Sequence, residues 1–155
     1  MKTLHLLRHA KSDWSDPALT DHDRPLNKRG KRARKLVAEH VAGWKVDLVV
    51  CSTARRARQT AKPVIAALGC SVQYEPVVYL AAVEDLFEVV RALPDTTERV
   101  MLVGHNPSLE EFTERLCGWT PSFPTAALAT IALTVEKWND VALGCGTLTE
   151  FVTPR

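Results

Sequence analysis

Apolar positions along the chain fall into short continuous runs separated by stripes of helical spacing, and the two patterns alternate. Leu4 to Leu7 is a short apolar run that stops at Arg8-His9, which predicts a buried strand ending at a polar site. Residues 10–26 are polar and rich in Asp and Pro, and read as a loop. Asn27 is placed to cap a helix through about Val41, with Ala33, Leu36, Val37 and Val41 on one face and Gly43 closing it. Asp47 to Cys51 predicts a second buried strand. Ser52 then opens a polar turn into a helix carrying Ala57, Ala61, Val64, Ile65 and Leu68, stopped by Gly69. Pro63 lies inside that stretch and predicts a kink or a late restart.

The second half continues the alternation. Ser71 to Tyr74 reads as a third strand, and Val83, Leu86, Phe87, Val90 and Leu93 mark a helix over 83–93 that Pro94 ends. Arg99 to Val103 is a fourth strand running into Gly104-His105-Asn106-Pro107, with a helix from Ser108 to about Cys117. Beyond Pro121 and Pro124, Leu128 to Val135 and Thr147 to Val152 read as two last strands, a hairpin around Asn139-Asp140 that adds an antiparallel edge. Such alternation predicts an α/β sandwich with a largely parallel sheet.

Composition narrows the class. With 155 residues, 46% of them hydrophobic and a mean hydropathy of -0.09, the chain suits one domain (1–155) with a sizeable core, and disorder is not expected. The apolar start, Thr3 to Leu7, is too short for a signal peptide, and no stretch approaches the roughly 18 apolar residues of a membrane span. A cytoplasmic protein with no membrane partner is expected. Cys51, Cys70, Cys117 and Cys145 lie far apart without C-x-x-C pairing, and read as reduced, buried thiols. A net charge of +2 gives no reason to expect a nucleic-acid partner. Its distribution matters more: Lys28, Arg29, Lys31, Arg32, Arg34 and Lys35 crowd one helix, either as a solvated face or as an electropositive rim for phosphorylated or acidic partners.

Chemistry concentrates at three strand ends. In open α/β sheets ligands bind outside the carboxyl ends of the strands. The first strand delivers Arg8-His9, the second Ser52 and then Arg55-Arg56, and the fourth Gly104-His105. Two histidines and several arginines at one edge suit a dianionic phosphate, because guanidinium forks match its oxygens and stay charged. Cys51 does not fit a cysteine phosphatase, whose nucleophile precedes an arginine by six positions; here that position is Ala57.

Leu6-Leu7-Arg8-His9-Ala10 resembles the R-H-G signature of the histidine phosphatase (phosphoglycerate-mutase-like) superfamily. Ser52-Thr53-Ala54-Arg55-Arg56-Ala57-Arg58-Gln59-Thr60-Ala61 is similar to its S-x-x-x-R-A-x-Q-T-A element. Val103-Gly104-His105-Asn106-Pro107 resembles its second-histidine element, and Asp23 to Gly30 its L-[TN]-x-x-G segment. Short length and R-H-A-K-S make the chain look most like the SixA-like phosphohistidine phosphatase branch. The resemblance implies a three-layer α/β/α sandwich, phosphoglycerate-mutase-like, around a mostly parallel sheet. It also implies that His9 is the nucleophile, that Arg8 and Arg56 clamp the phosphoryl oxygens, and that His105 completes the pocket.

Physically, His9 must be neutral at one ring nitrogen to attack phosphorus, and a hydrogen bond from the other to a backbone carbonyl would fix that tautomer. Lys11 and Ser12, just beyond it, are candidate substrate contacts. No cofactor or metal is expected, since the arginines supply the positive charge, and Asp21-His22-Asp23 reads as a solvated loop rather than a metal site. Ala10 departs from the family's glycine. The leaving-group acid of many relatives would fall near Tyr79 to Ala82, which is apolar; Glu84 is the candidate acid nearby, with Asp85, both at a helix start. A missing acid favours an imidazole leaving group. The expected substrate is a phosphorylated protein or a small phosphorylated molecule. The alternatives are a phosphoglycerate-type mutase, for which the chain offers little lid, and a non-catalytic phosphate-binding adaptor.

Overall fold

The computed structural model describes residues 1–154. Its first half comprises β1 (Lys2–Arg8), α1 (Lys28–Val41), β2 (Leu48–Ser52), α2 (Arg55–Leu68) and β3 (Ser71–Glu75). The second comprises α3 (Val83–Arg91), β4 (Arg99–Gly104), α4 (Ser108–Cys117), β5 (Leu128–Leu133) and β6 (Gly146–Val152). The strands form one sheet in the order β3-β2-β4-β1-β5-β6. β1 to β4 run parallel, while β5 is antiparallel to both of its neighbours. The reversed strand therefore lies inside the sheet, and β6 forms the edge.

Helices cover both faces, which is why the central strands read as unbroken apolar runs rather than alternating ones. Leu4 and Leu6 of β1 join a core with Leu86 and Phe87 of α3 and Phe112 of α4. Leu7 points the other way, into a core with Val37 of α1 and Ala57 and Val64 of α2. The result is the expected three-layer sandwich. No helix among the described residues is long and apolar enough to cross a membrane.

Local chemistry explains how the long loop over residues 10–26 is held. Asn27 Oδ1 accepts the Gly30 N–H at 2.9 Å and so caps α1. The Asn27 N–H in turn donates to the Lys11 carbonyl at 3.0 Å. A Cβ at position 30 would collide with that same carbonyl oxygen, so glycine is required by close approach.

One expectation changes. The helix does not restart at Pro63: α2 runs from Arg55 to Leu68 with the proline inside it. A proline cannot donate to the carbonyl four residues back. Here that carbonyl, on Gln59, accepts Arg34 Nη1 from α1 at 2.7 Å, so the freed group is satisfied by the neighbouring helix. The last two strands pair antiparallel as a hairpin whose register centres on Asn139-Asp140, through a long connection rather than a tight turn. That pair belongs to a 3-10 turn (Trp138–Asp140) whose Trp138 is fully buried and donates Nε1–H to the Thr97 carbonyl at 2.7 Å. That burial holds the connection against the sheet.

Candidate active site

Arg8 lies opposite Gly104 in the parallel register of β1 and β4, so the next residues, His9 and His105, emerge side by side at the carboxyl edge of the sheet. Their ring centroids are 5.1 Å apart. Ser52 ends β2 beside them, and Arg56 follows in the first turn of α2. Arg8, His9, Lys11, Ser12, Arg56 and His105 all line one cavity of about 500 Å³. Arg55 turns outward instead and is exposed.

His9 is held on every side. Its backbone N–H donates to the Gly104 carbonyl at 3.1 Å, and its carbonyl accepts the Ala126 N–H at 3.0 Å. In the ring, Nδ1 donates to the Ala10 carbonyl at 2.8 Å. A carbonyl only accepts, so Nδ1 carries the hydrogen and Nε2 keeps its lone pair. Ala10, buried in place of a glycine, donates its own N–H to Thr60 Oγ1 at 2.9 Å, and the Thr60 hydroxyl donates to the Arg56 carbonyl at 2.7 Å. Burial pushes the His9 pKa down to about 4; the Ala10 hydrogen bond opposes this, and the positive field of Arg56, Arg8 and Arg24 reinforces it.

His105 is pushed down to about 3, chiefly by burial, then by His9 and Arg56. Its Nε2 pairs with Ser52 Oγ at 2.8 Å. Ser52 Oγ already accepts the Ala54 N–H at 3.2 Å, so its hydroxyl hydrogen is available to donate to Nε2, which leaves the ring hydrogen on Nδ1. Ser52 thus tightens the turn into α2 and also orients a histidine. The His105 Nδ1, the Arg8 Nε and the Arg56 Nε are buried without a protein partner.

The arginines are fixed from behind. Arg8 Nη1 donates to the Phe123 carbonyl at 2.7 Å. Arg56 Nη1 donates to the Asp21 carbonyl at 2.7 Å, and Nη2 lies 3.2 Å from Asp21 Oδ2. A third, Arg24, is buried in the same wall: it donates to Ser12 Oγ at 2.6 Å, pairs with Asp21 Oδ1 at 2.8 Å, and stacks 3.4 Å from the Trp14 ring centroid. Tyr79 Oη donates to Asp21 Oδ2 at 2.6 Å. The hydrogen bonds from Tyr79 and Arg24 hold the Asp21 carboxyl far below the usual carboxylate range, so it stays ionised and cannot serve as a proton donor.

Arg24 and Trp14 carry no signal in the sequence, and Asp21, expected in a solvated loop, instead holds Arg24, Arg56 and Tyr79 in the cavity wall. Arg24 sits within the quoted Asp23 to Gly30 segment, but that pattern reports only the helix start. His22 in the same loop meets Thr53 Oγ1 at 3.0 Å. Among the described residues no cluster of His, Cys, Asp or Glu is arranged to hold a metal.

Glu84 is not brought to the cavity. The buried face of α3 is Val83, Leu86, Phe87 and Val90, which leaves Glu84 on the exposed face. Its neighbour Asp85 caps the helix by accepting the Ala82 N–H at 2.9 Å. Leu80 and Ala81 line the cavity instead, and no carboxylate does. Cys51 faces the core between α1, α2 and the sheet, and burial pushes its thiol up to about 12. The other three cysteines are free and half-buried.

Fold and site together define a mostly parallel α/β sheet with a histidine-and-arginine anion pocket at the carboxyl edge of its parallel strands. The chain belongs to the histidine phosphatase superfamily (branch 1), which residues 4–78 match. It is 31% identical to a protein assigned as the phosphohistidine phosphatase SixA of Agrobacterium tumefaciens, over 99% of this chain and 98% of that one, with a TM-score of 0.85. An uncharacterized protein of Mycobacterium tuberculosis is 32% identical over 96% of this chain and its own full length, 100%. The protein histidine phosphatase SixA solved with tungstate shares the fold, with a TM-score of 0.83 at 24% identity over 98% of this chain and 97% of that one.

Proposed function

We propose that this chain is a metal-independent phosphatase that works through a covalent phosphohistidine on His9, with a protein phosphohistidine or a small phosphoester as substrate. The observation that carries the reading is the anchoring of His9 Nδ1–H on the Ala10 carbonyl. It leaves a neutral Nε2 as the free nitrogen in a cavity lined by Arg8, Arg56 and His105. The low pKa keeps that nitrogen unprotonated at neutral pH.

In the first step the Nε2 lone pair attacks phosphorus in line. An N–P bond forms while the bond from phosphorus to the leaving group breaks. Charge spreads over the three equatorial oxygens, where the guanidinium groups of Arg8 and Arg56 and the Nδ1–H of His105 meet it. The two guanidinium cations take the part that a metal plays elsewhere. In the second step water attacks phosphorus, the P–N bond breaks, and inorganic phosphate leaves His9 neutral again. Lys11 and Ser12 line the same cavity and are the candidate substrate contacts.

No carboxylate lines the cavity to protonate a departing alkoxide, and Asp21 is held ionised. A phosphohistidine ring protonated at its other nitrogen departs as neutral imidazole and needs no acid from the protein, which favours phosphohistidine over alkyl phosphates. The tungstate in the SixA complex is a tetrahedral oxyanion of phosphate's shape, in keeping with this reading.

The test is His9→Ala. It is expected to abolish hydrolysis of a phosphohistidine peptide and of p-nitrophenyl phosphate with the unfolding midpoint preserved. Wild-type enzyme quenched during turnover is expected to carry an acid-labile phosphoryl group on His9, and chelators leave the rate unchanged. Full activity in His9→Ala would sink the mechanism.

A further inference from the structure

The phosphoryl cavity does not end at its own wall. Lys11 and Thr125 also line a second cavity of about 340 Å³, whose other side is built by Arg29 and Arg32 of α1 over a floor of Ala33 and Leu36. Among the described residues, Lys11, Arg29 and Arg32 make no ion pair and no side-chain hydrogen bond, whereas Arg24 and Arg56 are tied to Asp21. No acidic residue lines either cavity. Three uncompensated cations around one groove produce a local positive potential well above that of a chain with net charge +2.

The groove extends past its charged residues. Beyond Leu36 and Pro154 the groove continues into a third, apolar cavity with Val37 and Leu128 in its walls. Among the residues lining the phosphoryl cavity, Trp14 is 71% exposed and Leu80 is 78% exposed. Leu80 moreover adopts a φ of +56°, an uncommon and costly backbone for a leucine, which presents its side chain at the mouth. Large apolar side chains on a polar rim are anchors for a protein surface.

From these juxtapositions we infer that the substrate is an acidic phosphoprotein segment. Its phosphoryl group enters the His9 cavity, and a flanking carboxylate is gripped by Arg29 and Arg32 in the adjoining groove. This rests on the phosphatase reading above and adds to it the chemistry that selects the substrate.

The experiment uses two phosphohistidine peptides of equal length, one with glutamates flanking the phosphorylated residue and one with glutamines. Wild-type enzyme is expected to favour the acidic peptide by about tenfold in kcat/KM at low salt, equivalent to about 1.4 kcal/mol. The preference should shrink as salt is raised, because exposed charges are screened. In the double variant Arg29→Gln, Arg32→Gln it should fall to about twofold or less. Equal rates on both peptides with wild type, or an intact preference in the double variant, overturns the inference. So does a small bisphosphate that depends on Arg29 and Arg32 while the peptides do not. Should wild type hydrolyse neither peptide nor p-nitrophenyl phosphate, the phosphatase reading fails separately. Fluorescence-anisotropy titration of His9→Ala with the same two peptides then decides the groove: tighter binding of the acidic peptide supports it, and equal binding overturns it.

Discussion

Asp21 Oδ2 lies 3.2 Å from Arg56 Nη2, across 35 residues of chain, while Oδ1 of the same carboxylate holds Arg24 at 2.8 Å. One side chain of the long loop thus positions two guanidinium groups of the cavity wall. Asp21→Asn removes the charge and half of the acceptor capacity but keeps the backbone carbonyl that Arg56 Nη1 uses. It is expected to lower kcat at least tenfold with a smaller change in KM, because charge stabilisation matters most in the transition state. Steady-state kinetics on p-nitrophenyl phosphate checks this. A change confined to thermal stability would mean that the carboxylate only holds the loop.

Histidine burial sets the pH response of the rate. His9 has its pKa pushed down to about 4, so the free enzyme keeps a neutral imidazole well below pH 6. After correction for the second ionisation of the substrate phosphate, the acidic limb of kcat/KM is expected near pH 4. A limb near 6.5, the ordinary value for histidine, would show that His9 titrates as if solvated.

The same burial fixes the sign of the stability response. His5 is lowered to about 4, His9 to about 4 and His105 to about 3, each mainly by burial. Below 6.5 the unfolded chain binds protons that the folded one refuses, so stability falls as pH drops from 6.5 toward 4. Each histidine contributes up to about 1.4 kcal/mol per pH unit in that window. Urea midpoints at pH 7, 5.5 and 4.5 should decline in that order, and a flat series contradicts the burial argument.

Gly30 is where α1 touches the loop that follows His9. Gly30→Ala places a methyl group into the Lys11 carbonyl, and the backbone on one side must move. The expected cost is about 1–3 kcal/mol, the range for overpacking a close contact, together with a reduced kcat/KM as Lys11 and Ser12 shift. The alanine would otherwise favour the helix, so a stabilised variant with full activity would show that the contact yields freely.

Strand and helix order was legible in one dimension because the signals are local. Apolar runs ending in Arg8-His9 and Gly104-His105, an asparagine before α1 and a glycine after α2 each act within a few residues. A parallel sheet then forces its strand ends to one edge, so the convergence of His9, Arg56 and His105 followed from the element order. Pro63 failed as a local signal for the opposite reason: the donor that satisfies the freed Gln59 carbonyl, Arg34, comes from another helix.

By itself the sequence determined the alternating α/β order, the histidines at two strand ends and the arginine that follows Ser52. Only the tertiary structure decided that Asp21, Arg24 and Tyr79 form one hydrogen-bonded wall, that Glu84 faces solvent, and that Arg29 and Arg32 line a groove adjoining the phosphoryl cavity. The physical reason is range. A cap or an apolar stripe is written in residues that are neighbours along the chain, whereas an ion pair or a groove depends on which distant segments packing brings together.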